Sequence, residues 1–157
     1  MKKVLPGAFI LLLMTWCVSA SAASPNLDLT QYRGKVVYLD FWASWCPPCR
    51  ESFPWMNAMQ SKYGAQGLVV IAVSVDEQKQ DAIQFLNKHP VDFKILFDPE
   101  GTLAEQYNLM GMPSSFVIDQ AGHIYRRDVG FRDISRSEYE GQIRALLVNR
   151  QPTEIER

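Results

Sequence analysis

The stretch Leu39-Asp40-Phe41-Trp42-Ala43-Ser44-Trp45-Cys46-Pro47-Pro48-Cys49-Arg50 constrains this chain more than any other. It closes an apolar, β-rich run that begins at Val36, and such a run reads as a strand buried on both faces of a parallel or mixed sheet. Pro47 and Pro48 then suit the first turn of a helix, where a missing N–H costs nothing. The two cysteines therefore stand at a strand-to-helix junction, with Cys46 just before the helix and Cys49 one turn inside it.

The rest of the chain leaves that pair alone. The third cysteine, Cys17, falls in an N-terminal stretch made of a basic start (Lys2, Lys3), an apolar segment from Ala8 to Val18 and the small residues Ala20-Ser21-Ala22-Ala23. This is the pattern of a cleavable secretory signal over residues 1–23, too short in its apolar part for a spanning helix. An uncleaved signal acting as an anchor is the lesser alternative. The mature domain, residues 24–157, is expected in the periplasm, and losing Lys2 and Lys3 takes its net charge from −1 to −3. That balance offers nothing to nucleic acid or to an anionic membrane surface.

Periodicity supplies the frame. Strands are expected at 36–42, 68–75, 93–97, 115–119 and 123–128, the last two forming a hairpin around Gln120-Ala121-Gly122. Helices are expected from Pro47 or Pro48 to Tyr63, stopped by Gly64 and bent at Pro54, and from Glu77 to His89, stopped by Pro90. A short one follows over Leu103–Asn108, and a last one starts near Ser135 or Ser137, each with a Glu three residues on as in a capping box. Cys49, Phe53, Met56, Met59 and Tyr63 share one stripe of the first helix. Strands alternating with helices and a closing hairpin describe an α/β domain with a mixed central sheet flanked by helices.

Four uses compete for two cysteines at this spacing. A structural bridge is disfavoured because the loop it closes is tiny, and the stabilisation a bridge brings falls with loop size. Zinc needs about four ligands, and only His89 and His123 remain to help. Cu(I) accepts two thiolates, so a copper-carrying module stays open as an alternative. Redox exchange fits best: a helix N-terminus favours negative sulfur, so Cys46 is expected to be the exposed attacker and Cys49 the shielded resolver. The two prolines remove intervening N–H donors, which argues against an extreme oxidant. Asp40, inside the apolar strand, is expected to be buried with a raised pKa. Trp45 is expected to be partly exposed and Trp42 packed.

Phe41-Trp42-Ala43-Ser44-Trp45-Cys46-Pro47-Pro48-Cys49, together with Gly111-Met112-Pro113-Ser114-Ser115-Phe116-Val117-Ile118-Asp119, resembles the thioredoxin superfamily. Within it, the chain is similar to the TlpA/ResA/DsbE-like branch of exported thiol–disulfide oxidoreductases, from about Leu27 to Leu147. The resemblance implies a thioredoxin fold with that branch's extra β-α insertion, and a redox disulfide between Cys46 and Cys49. It further implies a cis peptide before Pro113, with Met112 offering its backbone to a substrate strand beside Trp45, Pro47 and Pro48. It makes Asp40 the acceptor of the Cys49 proton, and Glu77 matches a second acid that ResA-like proteins carry near the site. Many relatives carry only one of these acids, so which of them acts is left open. No cofactor or metal is implied. Partners would be disulfide-containing exported proteins, as in cytochrome c biogenesis, and a membrane electron donor of DsbD or CcdA type, with the protein itself monomeric. A peroxiredoxin-like peroxidase would need a threonine three residues before its cysteine, and Ala43 stands there.

Overall fold

The computed structural model describes residues 27–149, so the signal segment with Cys17 and residues 150–157 lie outside the described residues. A 3-10 turn over Leu29–Tyr32 leads into β1 (Val36–Trp42), α1 (Pro47–Tyr63), β2 (Leu68–Ser74) and α2 (Lys79–Lys88). β3 (Lys94–Phe97), α3 (Thr102–Gln106), β4 (Ser114–Ile118), β5 (Ile124–Val129) and α4 (Asp133–Val148) complete the order.

The five strands form one mixed sheet in the order β3-β2-β1-β4-β5, parallel from β3 to β1 and antiparallel from β1 to β5. This is the thioredoxin-like arrangement the resemblance implies. α2, β3 and α3 stand between β2 and β4, which gives the chain the extra β-α insertion.

β1 is central and buried at every position, so its alternation assigns residues to the two faces. Val36, Tyr38 and Trp42 join one cluster with Phe53 and Met56 of α1, Phe85 of α2 and Tyr139 and Ile143 of α4. Val37, Leu39 and Phe41 join the other with Leu103 of α3 and, at its margin, Leu27, Leu29 and Tyr32. Both cysteines belong to the first cluster.

Several boundaries differ from the periodicity reading. Gly64 stays right-handed and continues into a 3-10 turn to Gln66; the reversal falls on Gly67, at φ 110°, a region open mainly to glycine. α2 starts at Lys79, two residues after Glu77. α3 ends at Gln106, because Asn108 takes φ 55° and cannot extend the helix. α4 starts at Asp133 with Arg132 at its N-cap, so neither Ser135 nor Ser137 caps it.

Candidate active site

The cysteine loop is built by local geometry. β1 ends at Trp42, and the turn Ala43–Cys46 is closed by the Cys46 N–H donating to the Ala43 carbonyl at 3.1 Å. Cys46, extended at φ −94° and ψ 104°, is the N-cap of α1, and its carbonyl accepts the Arg50 N–H at 3.2 Å. A helix start leaves its first four N–H groups without intrahelical partners. Here two of those positions are Pro47 and Pro48, and Cys46 spends its own N–H on Ala43. Only the Cys49 N–H remains to face a sulfur at the helix start.

Cys46 and Cys49 are joined as a disulfide, their Cα atoms 5.3 Å apart. Cys49 is fully buried, as its place on the apolar stripe requires. Cys46 corrects the expectation of an exposed attacker, for it is 3% exposed. In the oxidised pair its sulfur is bonded to Cys49 and packed into the cluster that surrounds that residue. The exposed members of the loop are Trp45, at 66%, and Pro47; Pro48 is half-buried. Trp42 is packed between Phe53 and Phe85.

Asp40 points to the same face of β1 as Tyr38 and Trp42, the face that holds both cysteines. It is fully buried, and the Ser115 hydroxyl donates to its Oδ1 at 2.7 Å, while Oδ2 has no hydrogen-bond partner among the described residues. Burial away from water raises its pKa to about 7, against a smaller lowering by the Ser115 hydrogen bond. A solvated edge position for Asp40 is thereby excluded.

Pro113 reaches the site through strand register. Ser114 pairs with Phe41 across β4 and β1, which sets Pro113 level with Trp42, at the end of β1 from which the cysteine loop leaves. The Met112–Pro113 peptide is cis. Pro113 is buried, and the half-buried Met112 packs against the cluster that contains the cysteines. Neither the N–H nor the carbonyl of Met112 takes part in a backbone hydrogen bond among the described residues, so both are available to an extended chain.

The two neighbouring acids after β2 face opposite ways. Glu77 is exposed, with no hydrogen bond or ion pair among the described residues, and lies outside α2. Asp76, beside it, turns inward and is 3% exposed. Its carboxylate accepts the Ser44 N–H at 2.9 and 3.2 Å on its two oxygens, the Ser44 hydroxyl at 2.7 Å and the Ser74 hydroxyl at 2.9 Å. Sequence reasoning missed Asp76. The available signal was the Ser74-Val75-Asp76 alternation at the end of β2, where a strand continued by two residues turns Asp76 to the side of Ser74.

A model of the AhpC/TSA family matches residues 17–127 of this sequence. The chain belongs to the AhpC/TSA family. Among its relatives, the thiol-disulfide oxidoreductase ResA of Bacillus thuringiensis subsp. konkukian is 32% identical over 105 residues, which are 67% of this chain and 61% of that protein. ResA of Geobacillus kaustophilus is 36% identical over 96 residues, 61% of this chain and 55% of that protein. The chain thus spans less than two thirds of these curated relatives. A solved structure from Chlorobium tepidum, described as a candidate thiol:disulfide interchange protein DsbE, is 50% identical with a TM-score of 0.74 and covers 76% of this chain and 84% of that one.

Within this AhpC/TSA chain the fold brings Cys46, Cys49, Asp40 and the Met112–Pro113 turn to one end of β1, and leaves Glu77 on the surface. At the position three before Cys46, Ala43 is fully buried and carries no hydroxyl.

Proposed function

We propose that this chain is a thiol–disulfide oxidoreductase that reduces disulfides in exported proteins, among them those matured into c-type cytochromes. The observation that carries the reading is the Cys46–Cys49 disulfide set at a helix start on the sheet face that buries Asp40, a carboxyl with a pKa of about 7. A dithiol meant to exchange electrons near neutral pH needs a base that titrates there.

In the reduced state the Cys46 thiolate attacks one sulfur of the client disulfide, forming a mixed disulfide and expelling the first client thiolate. Cys49 loses its proton to Asp40 and attacks the Cys46 sulfur. The second client thiolate leaves, and the pair ends as a disulfide, two electrons poorer. Trp45, Pro47, Pro48 and the free backbone of Met112 form the surface on which the client lies. Reduction of the pair is then restored by a membrane donor of DsbD or CcdA type. The protein acts as a monomer outside the cytoplasm, a location supported by the signal pattern of residues 1–23. The direction of flow is supported by the single N–H left at the helix start, which offers a Cys46 thiolate little stabilisation and so favours the oxidised pair.

Two measurements test this. Equilibration with glutathione should give a potential well below that of strong oxidants, which lie near about −120 mV; a value there sinks the reductant reading. The Cys49→Ser variant should accumulate exported proteins disulfide-bonded to Cys46, and an absence of such adducts in the periplasm would exclude the two-cysteine mechanism.

A further inference from the structure

We infer that Asp76 is a positioning residue of the redox pair: through Ser44 it clamps the turn that delivers Cys46, and its charge keeps Cys46 a weaker acid and the pair a stronger reductant. The clamp is built from both ends. Ser44 is the second residue of the Ala43–Cys46 turn, and its N–H and hydroxyl both donate to Asp76. The turn's other anchor is the Val75 N–H, which donates to the Trp42 carbonyl at 2.8 Å. The residues just after β2 therefore hold the loop that follows β1, where the two strands run parallel and end together at Trp42 and Ser74.

The electrostatic part follows from the kind of bonds made. The two carboxyl oxygens of Asp76 accept from Ser44 and Ser74, and the Asp76 N–H in turn donates to the Ser74 hydroxyl at 3.2 Å, so the side chain is fixed from both sides. None of the ion pairs among the described residues involves it. A buried negative charge bonded to Ser44, which stands two residues before Cys46, and met by N–H and O–H dipoles alone, opposes a second negative charge on the sulfur. A thiol held protonated leaves the reduced form less stabilised and lowers the potential. Other charged groups surround the loop. Arg50 follows on α1, Asp40 lies on β1, and Asp81, Lys88 and His89 of α2 and its C-terminal end line, with Ser44 and Arg50, a cavity of about 290 Å³. All of them are unchanged in the variants below, so each comparison isolates Asp76.

This deepens the reductant reading and takes its meaning from it, yet it is measured without any client. The absolute potential of the parent tests the reductant reading; the difference between parent and variant tests Asp76. The pH profile of Cys46 alkylation by iodoacetamide is recorded on reduced protein, with the equilibrium against glutathione. Asp76→Asn, which keeps the shape and removes the charge, should move the profile to lower pH. It should also shift the equilibrium about tenfold toward the reduced protein, equivalent to about 30 mV for this two-electron couple. Ser44→Ala keeps the charge and removes one donor, so its profile should stay or move to higher pH. An Asp76→Asn protein within twofold of the parent on both readouts, or a Ser44→Ala profile displaced to lower pH, overturns the inference. Should Asp76→Asn fail to match the parent's circular dichroism, the Ser44→Ala/Ser74→Ala double variant decides. Its profile must rise, and any other result overturns the inference.

Discussion

The Ser115 hydroxyl donates to the Asp40 carboxylate at 2.7 Å, and the two residues are direct partners in the β4–β1 ladder. Ser115 stands two residues after the cis Met112–Pro113 peptide. One strand therefore carries both the turn that meets a client and the group that tunes the buried base. In the neighbouring β4–β5 ladder Ser115 pairs with the half-buried Asp128, so three polar residues stand side by side across β1, β4 and β5.

Asp40→Asn should slow client reduction at pH 7 by at least tenfold, general bases contributing about 10²–10⁴-fold. The parent's rate should show an inflection near pH 7, following the Asp40 pKa of about 7, and the variant should lose it. Stopped-flow reduction of a client disulfide between pH 5.5 and 8.5 reads both. An unaltered profile in the variant would remove Asp40 from the mechanism.

The same carboxyl costs stability. Its folded pKa of about 7 lies above the ordinary aspartate value of 3.8, so between those values the folded state holds a proton that the unfolded chain has released. Its contribution to stability therefore falls as pH rises from about 4 to about 7 and is flat above that. The full gap corresponds to about 4 kcal/mol as an upper figure. Urea unfolding of the oxidised protein should show Asp40→Asn gaining on the parent across that window. No relative gain between pH 4 and 8 contradicts the raised pKa.

Ser115→Ala removes the one hydrogen bond that favours the charged form of Asp40, so the pKa of that group should rise above its present value of about 7. The rate inflection should move to higher pH, and the protein should lose about 1–3 kcal/mol at pH 8, where an ionised Asp40 is left without a donor. An inflection displaced to lower pH would show that the hydroxyl does not act this way.

Glu77→Gln separates the two acids. Glu77 is exposed and forms no hydrogen bond or ion pair among the described residues, so the rate of client reduction should stay within twofold of the parent at every pH. A loss comparable to that of Asp40→Asn would return Glu77 to the site.

Met56 of α1 is fully buried on the face that holds the cysteines. Met56→Ala should cost about 2–5 kcal/mol through lost burial and the cavity left behind. Chemical denaturation of the oxidised form measures it, and a cost below 1 kcal/mol would mean that the surrounding aromatic residues collapse into the space.

Much of this was legible in the chain itself. An uninterrupted apolar run before Cys46, two prolines after it and a stripe of Cys49, Phe53, Met56, Met59 and Tyr63 are local patterns, and local patterns determine which segments become strand or helix and which side of a helix is buried. The burial of Asp40 followed from its place in the run. The ends of elements were less legible because they depend on single φ angles, as at Gly67 and Asn108.

What only the tertiary structure decided is how residues far apart in sequence meet. Ser115 reaches Asp40 across 75 positions, and Asp76 reaches Ser44 across 32. Both contacts depend on strand register, and a slip of one residue turns every side chain to the opposite face. Composition carries no information on that choice, so the sequence did not show that Glu77 would stand exposed while Asp76 turns inward onto Ser44. The exposure of Cys46 is of the same kind: its place at a helix start was visible in the sequence, but its burial depends on the bond to Cys49 and on the packing of the cluster around both.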